Sequence, residues 1–423
     1  MYAGKTLSLV LCSFLFGVGA AFAQSGDQIA PTLSSARRGF TTVVPRGQGL
    51  AVSPRARSAL VPSAGIDSIR TFTGEFQVSG LDAVGNPQRR WFFTMAGGHP
   101  DAGGTTSFNA PIVPVSMDLL DRDGAVRVVD GHRLHYTAQP FVSAVVNSPI
   151  FQKADYTSSD RPTQFADAVQ RAEFYNQMQA DWHTMLKPSI KAERSLRIPR
   201  GAYYFALNPD DSCCAFVLVD LKVFSKLLFP ATANDVATPV GAAEHAGDIT
   251  TADISTFLFP NTYLYLNGNP NHCCVLGFHA YDAEPGDASN NFRERRYVLN
   301  FSSWISSGLF APGFEDITAL SHEVTESLND PFVGSDGVHG ITPWWLSQNG
   351  NCQNDLEVGD VIEGLPDATI AIRTNGRTYH PQNEALLPWF EFQSPSSALG
   401  GAYSYPNQNV LTALSPPQGV NCE

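Results

Sequence analysis

His322-Glu323-Val324-Thr325-Glu326 sets an imidazole and a carboxylate four residues apart, with a second carboxylate directly after the imidazole. On a helix, positions i and i+4 fall about 40° apart on one face. A neutral imidazole and a carboxylate so placed can share one divalent ion, which lowers the pKa of a bound water toward about 7. A neighbouring unliganded carboxylate then accepts the proton. The pattern is one residue type away from the His-Glu-x-x-His of zinc hydrolases, in which two ligands flank a general-base glutamate. His322 and Glu326 are therefore candidate ligands and Glu323 the candidate base. A plain solvated helix carries the same residues often, so the motif needs a third ligand to mean more.

Downstream, Cys352-Gln-Asn-Asp-Leu-Glu-Val-Gly-Asp360 presents two carboxylates around a glycine. Glu357 is the first choice of third ligand and Asp360 the second; the alternative is a turn with solvated acids. His279 lies in an apolar strand and reads first as a hydrogen-bonded core residue, second as a ligand. His339 and His380 sit in Gly- and Pro-containing loops and rank lower still. Exchanging the second histidine for Glu326 hardens the site. Zinc stays first by a narrow margin, with manganese, iron and calcium as alternatives.

These residues need elements to hold them. Asp316 to Leu328 reads as one helix, stopped by Asn329-Asp330-Pro331, with Ile317, Leu320, Val324 and Leu328 on one side and His322 and Glu326 nearly opposite. Strands are expected at 202–207, 214–220, 262–266, 273–281 and 296–301, which are rich in β-branched and aromatic residues. From Pro162 to Lys187, apolar residues at three- and four-residue steps predict a long helix backing that sheet. Between Ile69 and Val129, alternating runs separated by turn residues predict antiparallel hairpins. The expected fold class is α+β: a small β module at 68–150, then an α+β domain at 151–423.

The amino terminus gives a destination. Lys5, an apolar stretch and Ala21-Phe22-Ala23 form a signal peptide over 1–23, cleaved near Ala23. No other run reaches the roughly 18 apolar residues of a membrane span, so the expected product is soluble, secreted or periplasmic. Residues 24–67, rich in Ser, Ala, Pro, Gly and Arg, read as a disordered leader or a pro-segment.

Lys and Arg total 27 against 40 Asp and Glu, for a net charge of −13. That balance argues against nucleic acid as a partner, which requires a positive stripe. Of seven cysteines, Cys12 leaves with the signal. Cys213, Cys214, Cys273, Cys274, Cys352 and Cys422 are expected to form three disulfides of open connectivity, in keeping with an exported chain. Absence of a Gly-x-Ser-x-Gly elbow disfavours a serine hydrolase.

Ser321 to Glu326, Asp330-Pro331-Phe332, Trp344-Trp345 and Cys352 to Asp360 together resemble a group of secreted bacterial proteins of uncharacterised function. The resemblance extends to 163–174 and 274–280. A more distant likeness is to the phosphate-induced, Exordium-like secreted proteins, whose Gly-Asp is often followed closely by cysteine; here Val361-Ile362 follows. The resemblance implies a zincin-like mixed sheet with a backing helix and a metal-site helix, and a metallopeptidase acting on polypeptide. The competing expectation is an extracellular or wall-associated binding protein with a structural helix or metal, in which Trp344-Trp345 stacks on a sugar or fills a core.

Overall fold

One long strand, β4 (Thr105–Leu119), organises the chain in the computed structural model, which describes residues 27–28, 65–78, 89–156, 161–333, 345–350, 352–353 and 356–414. From Ala110 to Met117 every residue of β4 is buried, as expected of a strand covered on both faces. Ile112 pairs with Ile190 of β8 (His183–Ile190) and with Thr256 of β12 (Ile254–Pro260), so β4 has parallel neighbours on opposite edges. Further along, it takes β9 (Arg194–Ile198) in parallel and β7 (His135–Thr137) antiparallel. Next, β12 continues in parallel to β16 (Glu294–Trp304), which holds β15 (Gly277–Glu284) antiparallel and β1 (Ile66–Asp67) parallel. The result is a mixed α/β architecture with a mainly parallel central sheet of eight strands and few helices.

A second sheet has the order β10 (Tyr203–Leu207), β11 (Cys213–Asp220), β13 (Thr262–Tyr265) and β14 (Cys273–Val275). The five strands expected between 202 and 301 all form, but not in one sheet. Leu276 divides the 273–281 run into β14 and β15, which belong to different sheets. The cysteine bridges close between neighbours, Cys213–Cys214 and Cys273–Cys274, and so join no separate elements. Cys352 lies in a short strand, Cys352–Gln353, and Cys422 lies outside the described residues.

Two expectations need correction. The long helix over 162–187 is only α2 (Phe165–Glu173); Thr184 and Leu186 alternate inward along β8 instead. Apolar residues at 178, 182 and 185 satisfy a helical period by spacing, yet a short run of this kind also suits a strand. The β module at 68–150 is not separate, because β4 lies at the heart of the main sheet. Its local hairpins among the described residues are β2 (Thr71–Val78) with β3 (Arg89–Ala96) and the short pair Val128–Val129 with His132–Arg133. Alternation locates a strand but cannot say that its partners lie 78 and 144 residues away. Of the expected leader, only residues 27–28 and 65–67 are described: Gln28 bridges Phe205, Asp27 pairs with Arg127 and Arg200, and Ile66–Asp67 forms β1. Residues 1–26 and 29–64, with the signal peptide and its cleavage point, lie outside the described residues. Among the described residues, no helix is long and apolar enough to cross a membrane.

The expected helix forms as α5 (Thr318–Asn329). Ile317, Leu320, Val324 and Leu328, all at most 2% exposed, share one core cluster with Ile254, Leu258 and Val298 of the sheet. At the far end, Gln170 of α2 donates to the Leu328 carbonyl at 3.3 Å and Asn329 donates to Glu173 at 2.7 Å. Burial of Leu320 against the sheet thus positions everything on the opposite side of α5. Leu320→Ala should cost about 2–5 kcal/mol, read as a lower midpoint in chemical denaturation of the intact protein.

Candidate metal centre

The polar side of α5 is as buried as its apolar side. His322, Glu323 and Glu326 are only 3%, 2% and 1% exposed. One helical turn brings His322 Nε2 to 3.1 Å from Glu326 Oε2. β15 supplies a second imidazole. Along this strand Phe278 and Ala280 point into one core cluster and Tyr281 and Ala283 into another, the one that packs α5. His279, two residues before Tyr281, shares the α5-facing side. Its Nδ1 stands 3.3 Å from the same Glu326 Oε2.

The segment after Leu356 closes over this pair. Asp360 Oδ1 lies 3.4 Å from His322 Nε2, and Glu357 Oε2 lies 3.5 Å from His279 Nδ1. Glycines permit the approach: a Cβ on Gly359 would stand 2.5 Å from His322 Nδ1, and one on Gly277 would stand 2.5 Å from Glu323 Oε1. Gly359 also donates its N–H to Glu326 Oε1 at 3.0 Å and accepts from Gln382 Nε2 at 2.8 Å. The Val-Gly-Asp turn is therefore tied to α5 through backbone as well as side chains.

Glu323 keeps a greater distance. Its carboxylate oxygens are 4.0 Å from both His279 Nδ1 and His322 Nε2. The other histidines do not join. His380 Nδ1 sits 2.9 Å from Asp316 Oδ2, beside the start of α5, and His339 lies outside the described residues. One member escaped the reading of the sequence: Glu384, in the short strand Glu384–Ala385, is fully buried, and neither of its carboxylate oxygens has a hydrogen-bond partner among the described residues. Its electrostatic coupling to His322, Glu326, Glu323 and Asp360 places it at this cluster. The available signal was a lone carboxylate opening the apolar run Ala-Leu-Leu-Pro-Trp-Phe390.

Charge decides the protonation of the set. Burial opposes ionisation of Glu326, but His322 and His279 outweigh it and hold the carboxyl well below its usual range. Burial likewise works against a charged His322, yet Glu326 and Glu323 raise its pKa far above the ordinary value. Glu323 and Glu384, with weaker compensation, are driven up by burial, and Asp360 is pushed up to about 6.

This donor set fits a divalent ion. Donor atoms held about 2.0–2.1 Å from one tetrahedral ion lie about 3.3 Å from each other, and in the set His322, Glu326 and Asp360 the imidazole lies 3.1 and 3.4 Å from the two carboxylates. His322 Nε2, for all its proximity to Glu326 and Asp360, makes no hydrogen bond of normal geometry, and Glu323 Oε2 has no hydrogen-bond partner among the described residues. Buried polar atoms seldom go unsatisfied without a reason such as an ion.

No protein-family model, no curated protein and no solved structure matches this chain.

Two other features lie apart from the centre. A cavity of about 220 Å³ opens between β2, β3 and α2, lined by Phe72, Phe93 and Glu173 among others, with no centre residue in its wall. On α4 (Pro239–His245) and β15, Glu244, Asp282 and Glu284 gather their carboxylates within 4.8 Å. Burial first, then mutual repulsion, raises Glu244 and Asp282 above their ordinary values of 4.5 and 3.8.

Gly359→Ala should displace the His322 ring and weaken metal affinity about 10- to 100-fold, measured by competition with a chromophoric chelator. The Glu244 group makes a prediction about pH. A native state that holds protons more tightly than the unfolded chain has its full stability below the ordinary carboxylate range and loses it as pH rises through neutrality. Glu244→Gln should therefore remove about 1–3 kcal/mol of the stability loss between pH 5 and 8, measured by urea denaturation at each pH in the presence of chelator.

Proposed function

We propose that this chain is a metal-dependent hydrolase of the secreted or periplasmic space, with polypeptide as its substrate class and zinc as the first-choice ion. The observation that carries this reading is the position of Glu323. It stands 4.0 Å from both imidazole nitrogens, one step outside the tighter contacts that Glu326 makes at 3.1 and 3.3 Å. That distance suits a base beside a ligand set.

His322, Glu326 and Asp360, whose ligand atoms lie within 4.8 Å of one another, would hold an ion, with His279 3.3 Å from the same Glu326 oxygen. When bound, such an ion supplies Lewis acidity toward a carbonyl oxygen and makes a water acidic near neutral pH. Glu323 then takes the proton from the attacking water and returns it to the leaving amine. The helix-on-sheet placement of α5 against β15 and β16 supports the zincin-like variant of the fold. The second imidazole then comes from a strand and not from the helix.

A second reading has an observation of its own. His279, His322, Glu323, Glu326 and Asp360 are all 1–6% exposed, and closed coordination typifies structural ions. In that reading the chain is a non-catalytic extracellular binding protein. The deciding experiment pairs elemental analysis of purified protein with cleavage of casein. A hydrolase shows bound transition metal and turnover that falls about 10²- to 10⁴-fold in Glu323→Gln, with metal and circular dichroism retained. Unchanged turnover in that variant rejects the assigned base, and stoichiometric metal without cleavage supports the structural reading.

A further inference from the structure

The donor atoms divide into two sets that share one residue. His322, Glu326 and Asp360 have ligand atoms within 4.8 Å of one another, and so do His279, Glu323 and Glu326. Each imidazole faces Glu326 Oε2 from its own side, at 3.1 Å for His322 and 3.3 Å for His279. Each also faces a carboxylate of its own from the same turn: Asp360 at 3.4 Å for His322 and Glu357 at 3.5 Å for His279. The spacing Glu-Val-Gly-Asp thus delivers one acid to each histidine, with Gly359 between them seated on α5.

Charge points the same way. Glu323, Glu326 and Glu384 are at most 2% exposed, and neither oxygen of Glu384 is hydrogen-bonded among the described residues. Several buried carboxyl groups would face a single divalent charge, an arrangement whose desolvation cost is large unless further cation charge is present.

We infer that the centre is built for two divalent cations bridged by Glu326, one held by His322 and Asp360, the other by His279 and Glu357. Glu384 adds a further buried carboxyl group near them. This inference rests on the hydrolase reading of the same residues and deepens it. Paired ions about 3.5–4 Å apart clamp both the attacking and the leaving oxygen of a displacement, and Glu323, at 4.0 Å from either imidazole, stands beside both.

The test is a titration of chelator-treated, full-length protein with Zn²⁺ alone and with Mn²⁺ alone, followed by native mass spectrometry and calorimetry. About two ions per chain are expected, and the Mn²⁺ form should show the electron paramagnetic resonance signature of two coupled spins. Asp360→Asn and Glu357→Gln should each lower the count to about one. Should either variant lose its circular dichroism, the wild-type stoichiometry and spin coupling still decide. A single ion in wild type, with uncoupled Mn²⁺, overturns the two-ion inference and leaves the hydrolase reading standing. Absence of any bound ion overturns both.

Discussion

Ionisable side chains buried along one face of a helix constrain the rest of this molecule. His322, Glu323 and Glu326 lie in an interior where an isolated charge costs many times what it does in water. They persist because opposite charges are brought within about 3.5 Å from other parts of the chain: His279 from a strand, Asp360 and Glu357 from a turn. Removing any partner leaves the others uncompensated, so the centre behaves as one unit.

Such proximity demands backbone that yields space. Gly277 and Gly359 press against Glu323 and His322, where any larger residue would collide. Neither glycine is needed for a left-handed conformation; both are needed for close approach. The same turn is anchored by the Gly359 N–H on Glu326 and by Gln382 on the Gly359 carbonyl, so the orientation of the acids is fixed before any ion arrives. Ser321 and Thr325 return their hydroxyl protons to carbonyls one turn back in α5, which keeps the rest of the buried polar face satisfied.

Underneath, the scaffold is ordinary hydrophobic packing. Ile317, Leu320, Val324 and Leu328 pin α5 to the sheet, and α2 caps its far end through Gln170 and Glu173. Because α5 is covered on both sides, its rotation about its own axis is set by two opposed requirements, apolar contact below and charge pairing above. A helix with only one buried face would lack that second constraint.

The helix itself, with its apolar stripe and the adjacency of His322 and Glu326, was legible in the sequence, because a 3.6-residue period fixes which side chains share a face whatever else the chain does. Most strands were legible too, from runs of β-branched and aromatic residues. Their pairing was not: the pattern of β4 is that of a local hairpin strand, yet its neighbours arrive from β8, β9 and β12. For the same reason His279 reads first as a core residue and Glu384 carries no local mark of its partners, since nothing within a strand's own sequence says which helix will cover it. Sequence alone determined the types of donor and the two that share a helix turn. Tertiary structure decided which distant residues complete them, because burial and sheet register, properties of long-range contacts, bring His279, Glu357, Asp360 and Glu384 to one place.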